Sequence, residues 1–231
     1  MTIDRAEFLR NFDETMRRSP AMSGPGTQVV RDDRWTLVLG EGSDAWSAVV
    51  WSGLDEATAD DAIAEVIARL GGLDSLPADF EWKYYAHDLP ADLPARLEAA
   101  GLRPDEEEAV VVAEISAVAG AIDPVPGIEV RGATDAGEIA DLVRVHDEAF
   151  GEEHEFIGKM LLAELELPEQ ERTQFGVVAY SADDGRAVSA ARVELNRESD
   201  IASLWGGGTI PSWRGRGVYR ATVAWRAAFA A

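Results

Sequence analysis

The sequence predicts an α/β layered fold, a mixed sheet flanked by helices, laid out as two successive strand-and-helix segments. Three observations predict it. Apolar residues switch repeatedly between a period near two and a period near 3.6. Turn-forming residues separate these stretches. A run of Gly, Pro and small residues, SAVAGAIDPVPGIEV, interrupts the pattern near residue 120.

Taken in order, residues 1–26 read as a helical segment with Ile3, Phe8, Leu9, Phe12 and Met16 at amphipathic spacing. RWTLVLGE and WSAVVWS read as strands rich in β-branched and aromatic residues. DEATADDAIAEVIARLGGL reads as a helix with Ala62, Ile63, Val66, Ile67 and Leu70 on one face and Gly71 as its stop. FEWKYYAHD follows as a strand, LPARLEAAGL as a helix ending at Gly101, and EEAVVVAEI as a strand. Residues 118–127 are expected to be a linker. Beyond it GIEVRGA is a strand, DAGEIADLVRVHDEAFG a helix with Ile139, Leu142, Val143 and Val145 to one side, and EFIGKMLLAELEL a second helix. QFGVVAYSADDGRAVSAARVEL reads as a hairpin turned at ADDGR, where Asp-Gly supplies the positive φ of a tight turn. IASLWGGG is a further strand and VYRATVAWRAAFAA the last helix.

Composition excludes several function classes. The 231 residues are 46% hydrophobic, enough for one large or two small cores. Against 43 Asp and Glu stand 21 Lys and Arg, a formal charge of -22 that repels nucleic acid and anionic membranes. A cationic or amine-bearing partner is easier to accommodate, although an acidic surface also serves solubility alone. With no cysteine, thiol nucleophiles, thiolate metal sites and disulfides are excluded, and His87, His146 and His154 are too widely spaced to predict a metal site. The N-terminus carries charge throughout, and the most apolar run, AVVVAEISAVAGAI, is broken by Glu114, so neither a signal peptide nor a membrane span is expected and the cytoplasm is the expected location.

The stretch TIPSWRGRGVYRATVAWR concentrates arginine in this acidic chain, between a strand and a helix. A turn holding Gly215 and Gly217 ahead of a helix starting near Val218 points unpaired backbone N–H groups outward, and the positive end of the helix dipole reinforces them. Arg214, Arg216 and Arg220 add charge. The pattern is neither a Walker loop nor a dinucleotide fingerprint. An ordinary turn with solvated arginines is the plain alternative.

In GGGTIPSWRGRGVYRATVAWR the chain resembles the GNAT superfamily of acyl-CoA-dependent N-acyltransferases. The family's [Q/R]-x-x-G-x-[G/A] phosphate loop is matched by Arg214, Gly215, Arg216, Gly217 and Val218, and departs at Tyr219, where a small residue is usual. The element order over residues 128–231 agrees as well. The resemblance implies that backbone N–H groups from Gly215 through Gly217, Val218 and Tyr219 to Arg220 bind the pyrophosphate of acetyl-CoA, and that Gly207, Gly208 and Thr209 lie along its pantetheine arm. Three consecutive glycines in a strand also predict a bulge or a close backbone approach.

The implied activity is acetyl-CoA-dependent N-acetyl transfer to an amine by direct attack in a ternary complex, with a catalytically silent CoA-binding protein as the alternative. Family members often place a carboxylate base on the strand before the loop, where Ser203 stands here. Glu194, Glu152, Glu153 and His154 are the other candidates, each more simply explained as a solvated group. No metal is expected.

Residues 27–117 repeat the strand-loop-helix order, and their closing elements resemble the end of a GNAT domain. Their loop, GLDEATADD, would set Asp55, Glu56, Asp60 and Asp61 against a diphosphate. This segment is therefore expected to be a degenerate GNAT-like domain without a cofactor site, making the chain a tandem GNAT-like protein. The second domain, 128–231, is expected to be incomplete at its C-terminus because the chain ends inside an apolar-faced helix. An unpaired LWGGGT edge would invite association, so a homodimer is compatible with the sequence. Pairing within the first segment costs less loop-closure entropy than pairing across the linker, so that segment is expected to keep its own sheet.

Overall fold

The computed structural model describes residues 3–20, 26–40, 46–72, 79–119, 124–197 and 199–231. The chain divides into two compact units, Asp4–Val111 and Val112–Ala231.

In the first unit, α1 (Arg5–Phe12) starts at Asp4, whose carboxylate accepts from the N–H groups of Ala6 and Glu7. The helix widens to π pitch over Asp13–Arg18. Strands β1 (Gln28–Arg31), β2 (Trp35–Leu39) and β3 (Trp46–Ser52) are antiparallel, and α2 (Ala59–Gly71) returns the chain so that β4 (Asp79–Trp82) joins β3 in parallel. β1 was not expected as a separate strand. Ala62, Ile63 and Val66 of α2 and Leu93 and Leu97 of α3 (Leu93–Ala99) pack on Leu37 and Val49.

One buried ion pair fixes the N-terminal helical segment to this unit. Arg17 donates to both carboxylate oxygens of Asp88 at 2.8 and 2.7 Å, to Asp13 at 2.7 Å and to the Val50 carbonyl at 3.0 Å. Burying a guanidinium is tolerable only with such complete pairing.

The strand expected over EEAVVVAEI does not form. Residues 102–114 lack regular structure, Val111 is 90% exposed, and α4 (Ile115–Ala119) begins at the last residue of that stretch. β-branched residues favour a strand only where a neighbouring edge supplies a ladder and a face to pack on. Of the expected linker, residues 120–123 lie outside the described residues.

The second unit holds β5 (Ile128–Ala133), α5 (Ala136–Phe150), α6 (Glu155–Glu166), β6 (Gln174–Ser181), β7 (Ala187–Leu195), β8 (Ala202–Thr209) and α7 (Val218–Ala230). Its sheet runs β5-β6-β7-β8, antiparallel throughout, with the β6–β7 turn closed at Gly185. The sheets of the two units are separate, as expected, and within its own sheet β8 pairs on one side only. Ile139, Leu142 and Val145 of α5 and Ile157 and Leu161 of α6 are buried against Val178, Val188 and Ala190, each contributing about 1.5–3 kcal/mol by leaving water. A Cβ on Gly208 would meet Ala149 and Phe150, and one on Gly207 would meet Tyr219, so α5 and α7 cover opposite faces of β8. Among the described residues no helix is long and apolar enough to cross a membrane.

Candidate functional site

The glycine run produces the feature on which the site depends. Ala190 pairs with Gly208 and Arg192 with Trp205, so Gly206 and Gly207 together stand opposite Ala191 as a β-bulge. Gly206 sits at φ +55, where a side chain would be strained. Along the bulge the faces still alternate: Gly206 faces His146 of α5 and Gly207 faces Tyr219 of α7. Each face carries a cavity that reaches β8.

On the α7 side a cavity of about 470 Å³ is lined by Thr209, Trp213, Arg214, Gly215, Gly217, Val218, Tyr219 and Arg220; Gly207, Gly208 and Arg216 are not part of its lining. Gly217, at φ +82, is the N-cap of α7 and no side chain caps the helix, so the first N–H groups have no helical partner. A Cβ on Gly215 would meet nothing within 4 Å. The arginines differ in their attachments. Arg214 donates to the Thr209 carbonyl at 3.0 Å and to the Ala149 carbonyl at 2.8 Å, tying the loop to β8 and to the last turn of α5. Arg216 stacks on Trp213, 4.7 Å from the ring centre.

The entry to α2 in the first unit is acidic instead. The carboxylate of Asp55 accepts from the N–H groups of Ala57 and Thr58 and from the Thr58 hydroxyl, and these bonds hold its pKa below the usual value. Asp60 pairs with Arg96 at 3.0 Å. Neither helix has a side-chain cap, but the first turn of α2 carries Asp60 and Asp61 whereas that of α7 carries no acid.

On the α5 side a cavity of about 460 Å³ is lined by His146, Phe150, Glu152, His154, Phe156, Ile157, Arg192 and Gly206. His146 is fully buried, and neither ring nitrogen has a hydrogen-bond partner. Burial above all, then the positive charge of Arg192 and His154, push its pKa down to about 4, so it is neutral at pH 7. The backbone of Ala190 and Gly206 favours the protonated form weakly without completing a bond to the ring. His154 lies at the mouth. Its Nδ1 is 2.8 Å from the Glu152 carbonyl and 3.2 Å from Asp147, whose carboxylate also accepts the His154 N–H. Since both neighbours only accept, the proton belongs on Nδ1 and Nε2 is left as the basic nitrogen.

Among the other candidates, Glu194 and Ser203 line neither cavity. Glu194 stands opposite Ser203 and accepts from Gln174 at 2.7 Å; burial raises its pKa, opposed by Gln174 and Arg192. Glu153 lines neither cavity, whereas Glu152 lines the one at His146.

Sequence reasoning missed His146, Asp147, Arg192 and Arg226. A signal existed for His146, which follows Ile139 and Leu142 at helical spacing. Arg226 is buried in α7, donating to the carbonyls of Thr222 and Arg192, with Nη2 unpartnered near Gly207 and Tyr219. No sequence pattern announces it.

No protein-family model matches the chain. No curated protein matches it either. Among solved structures it is similar to a GCN5-related N-acetyltransferase from Kribbella flavida, at 16% identity and TM-score 0.68, over 99% of this chain and 82% of that one. It is also similar to a functionally unknown conserved protein from Staphylococcus epidermidis, at 12% identity and TM-score 0.54, over 89% of this chain and 80% of that one. At such identities the likeness establishes architecture: two four-stranded sheets flanked by helices, in a GNAT-like fold.

Proposed function

We propose that residues 128–231 form an acetyl-CoA-dependent N-acetyltransferase, and that residues 27–117 are a companion GNAT-like domain without a cofactor site. The observation that carries this reading is the bulged strand β8, which borders a helix N-terminus without a side-chain cap on one face and, on the other, a cavity lined by His154, whose ring Asp147 holds from behind the lining. Gly206 and Thr209 border the two cavities, and three strand residues span about 10 Å. The residues fit the cofactor. N–H groups of Val218, Tyr219 and Arg220 would hold its pyrophosphate with Arg216, Arg214 would brace the loop, and Gly207 to Thr209 would lie along its pantetheine arm.

Acetyl-CoA supplies the activated acyl carbon, to which the acceptor nitrogen bonds as the carbon–sulfur bond breaks. His154, with Nδ1–H held by Asp147 and the Glu152 carbonyl, takes the amine proton at Nε2; the thiolate that leaves takes one up from solvent. Phe150, Phe156 and the buried Ile157 give the cavity apolar lining beside His154.

Calorimetry with CoA and CoA release with a panel of amines test this. One site per chain is expected, and Arg216→Ala should weaken CoA binding roughly tenfold, the worth of one charge-assisted contact. Two equivalent sites would contradict a companion domain without a cofactor site, and unchanged affinity at low salt in both Arg216→Ala and Arg214→Ala would place the cofactor elsewhere. CoA binding without turnover of any amine would leave a silent binding protein.

A further inference from the structure

We propose that the cavity beside Gly206 takes an amine that also carries a carboxylate, with Arg192 as the residue that holds the acid group. This rests on the preceding reading only in making the bound molecule the acyl acceptor. Among the described residues no carboxylate forms an ion pair with Arg192, in a chain where acids outnumber bases two to one. Its Nε is buried without a hydrogen-bond partner, and Nη1 meets only the Met160 sulfur at 3.8 Å. Glu194, two residues along β7, acts on it through space alone. Arg17 shows the contrast, since there all three guanidinium nitrogens donate, two of them to carboxylates. A half-buried guanidinium that no carboxylate touches is suited to a ligand that completes its hydrogen bonds.

The surroundings agree. Arg192 Nε and His146 Nε2 each lie 3.7 Å from the point where a Cβ on Gly206 would stand, so two unpartnered groups converge on a space that glycine keeps clear. A neutral His146 can donate a hydrogen bond there without adding charge. His154, the N-cap of α6, has no capping side-chain bond to the helix, and Phe156 and Ile157 of its first turn line the cavity, so the positive end of α6 opens on it as well. Glu152 supplies the opposite sign, suited to the ammonium form of the amine on entry. Phe150 and Phe156, 49% and 63% exposed, offer apolar surface to the rest of the molecule.

The test measures binding directly as well as turnover. Calorimetry on the full chain would compare L-phenylalanine, L-leucine and 3-phenylpropanoate with phenethylamine and isoamylamine, in the parent, Arg192→Lys and Arg192→Met. The carboxylates should bind at least tenfold tighter than the simple amines. Arg192→Met should erase that preference, Arg192→Lys should keep part of it, and CoA affinity should stay unchanged in both. Arg192→Met removes a half-buried charge that has no ion-pair partner among the described residues, so its melting temperature should not fall and lost binding cannot be put down to unfolding. The proposal is overturned if simple amines bind as tightly as the amino acids, or if none of the carboxylates binds. Equal acetylation of both classes would overturn it while leaving the acetyltransferase reading intact. Carboxylate binding lost in Arg192→Met, with no CoA bound, would leave it standing and remove that reading.

Discussion

A single imidazole illustrates how position overrides composition. His146 has no exposed surface, and burial holds it neutral with a pKa of about 4 against an ordinary 6.5. Between these values the unfolded chain binds a proton that the folded chain refuses, so stability falls as pH drops from about 6.5 toward 4. Full expression of that difference is about 3 kcal/mol. Urea titrations at pH 7 and pH 4.5 should show this loss in the parent and a smaller one in His146→Leu. The same acid sensitivity in both proteins would mean that other groups control it.

Strand β8 extends the argument to an element, because its glycines serve different ends. A Cβ at Gly207 would come within 2.5 Å of the Tyr219 ring, but Tyr219 is 49% exposed and can swing away. A Cβ at Gly208 would meet the Ala149 Cβ at 3.0 Å, an atom fixed to the backbone of α5. Gly208→Ala should therefore destabilise by about 1–3 kcal/mol and Gly207→Ala by clearly less, as read by denaturant melts. A reversed order would show that Tyr219 is held more rigidly than its exposure implies. The proposed pantetheine path follows the same residues, so Gly207→Ala should also change CoA affinity by displacing Tyr219.

At the scale of the whole molecule each unit has its own sheet and core, and their stabilities should respond separately. Asp88→Asn leaves Arg17 buried with a weakened partner; losing half of such a pair costs about 3–5 kcal/mol. Amide exchange should quicken across Asp4–Val111 while β6 and β7 keep their protection. Equal loss of protection in β6 and β7 would show that the chain unfolds as one cooperative body. Replacing both partners with apolar residues, Arg17→Met with Asp88→Leu, should recover most of the loss.

What the sequence determined by itself was local. Helix periodicity around Ile63 and Leu142, the Asp-Gly turn at Gly185 and the glycine-flanked entry to α7 each depend on residues a few positions apart, so these elements and the turn ahead of α7 were legible in order. The bulge was legible too, since consecutive glycines weaken a regular ladder. Tertiary structure alone decided that EEAVVVAEI stays unpaired, because a strand requires an edge from elsewhere in the chain. It alone brought His146, His154 and Arg192 to one cavity, from a helix, the turn after it and a strand nearly 40 residues on. It also assigned Arg214 to two carbonyls and left Arg192 without a carboxylate. Charge pairing over such separations depends on which backbones meet, and no spacing along the chain encodes that.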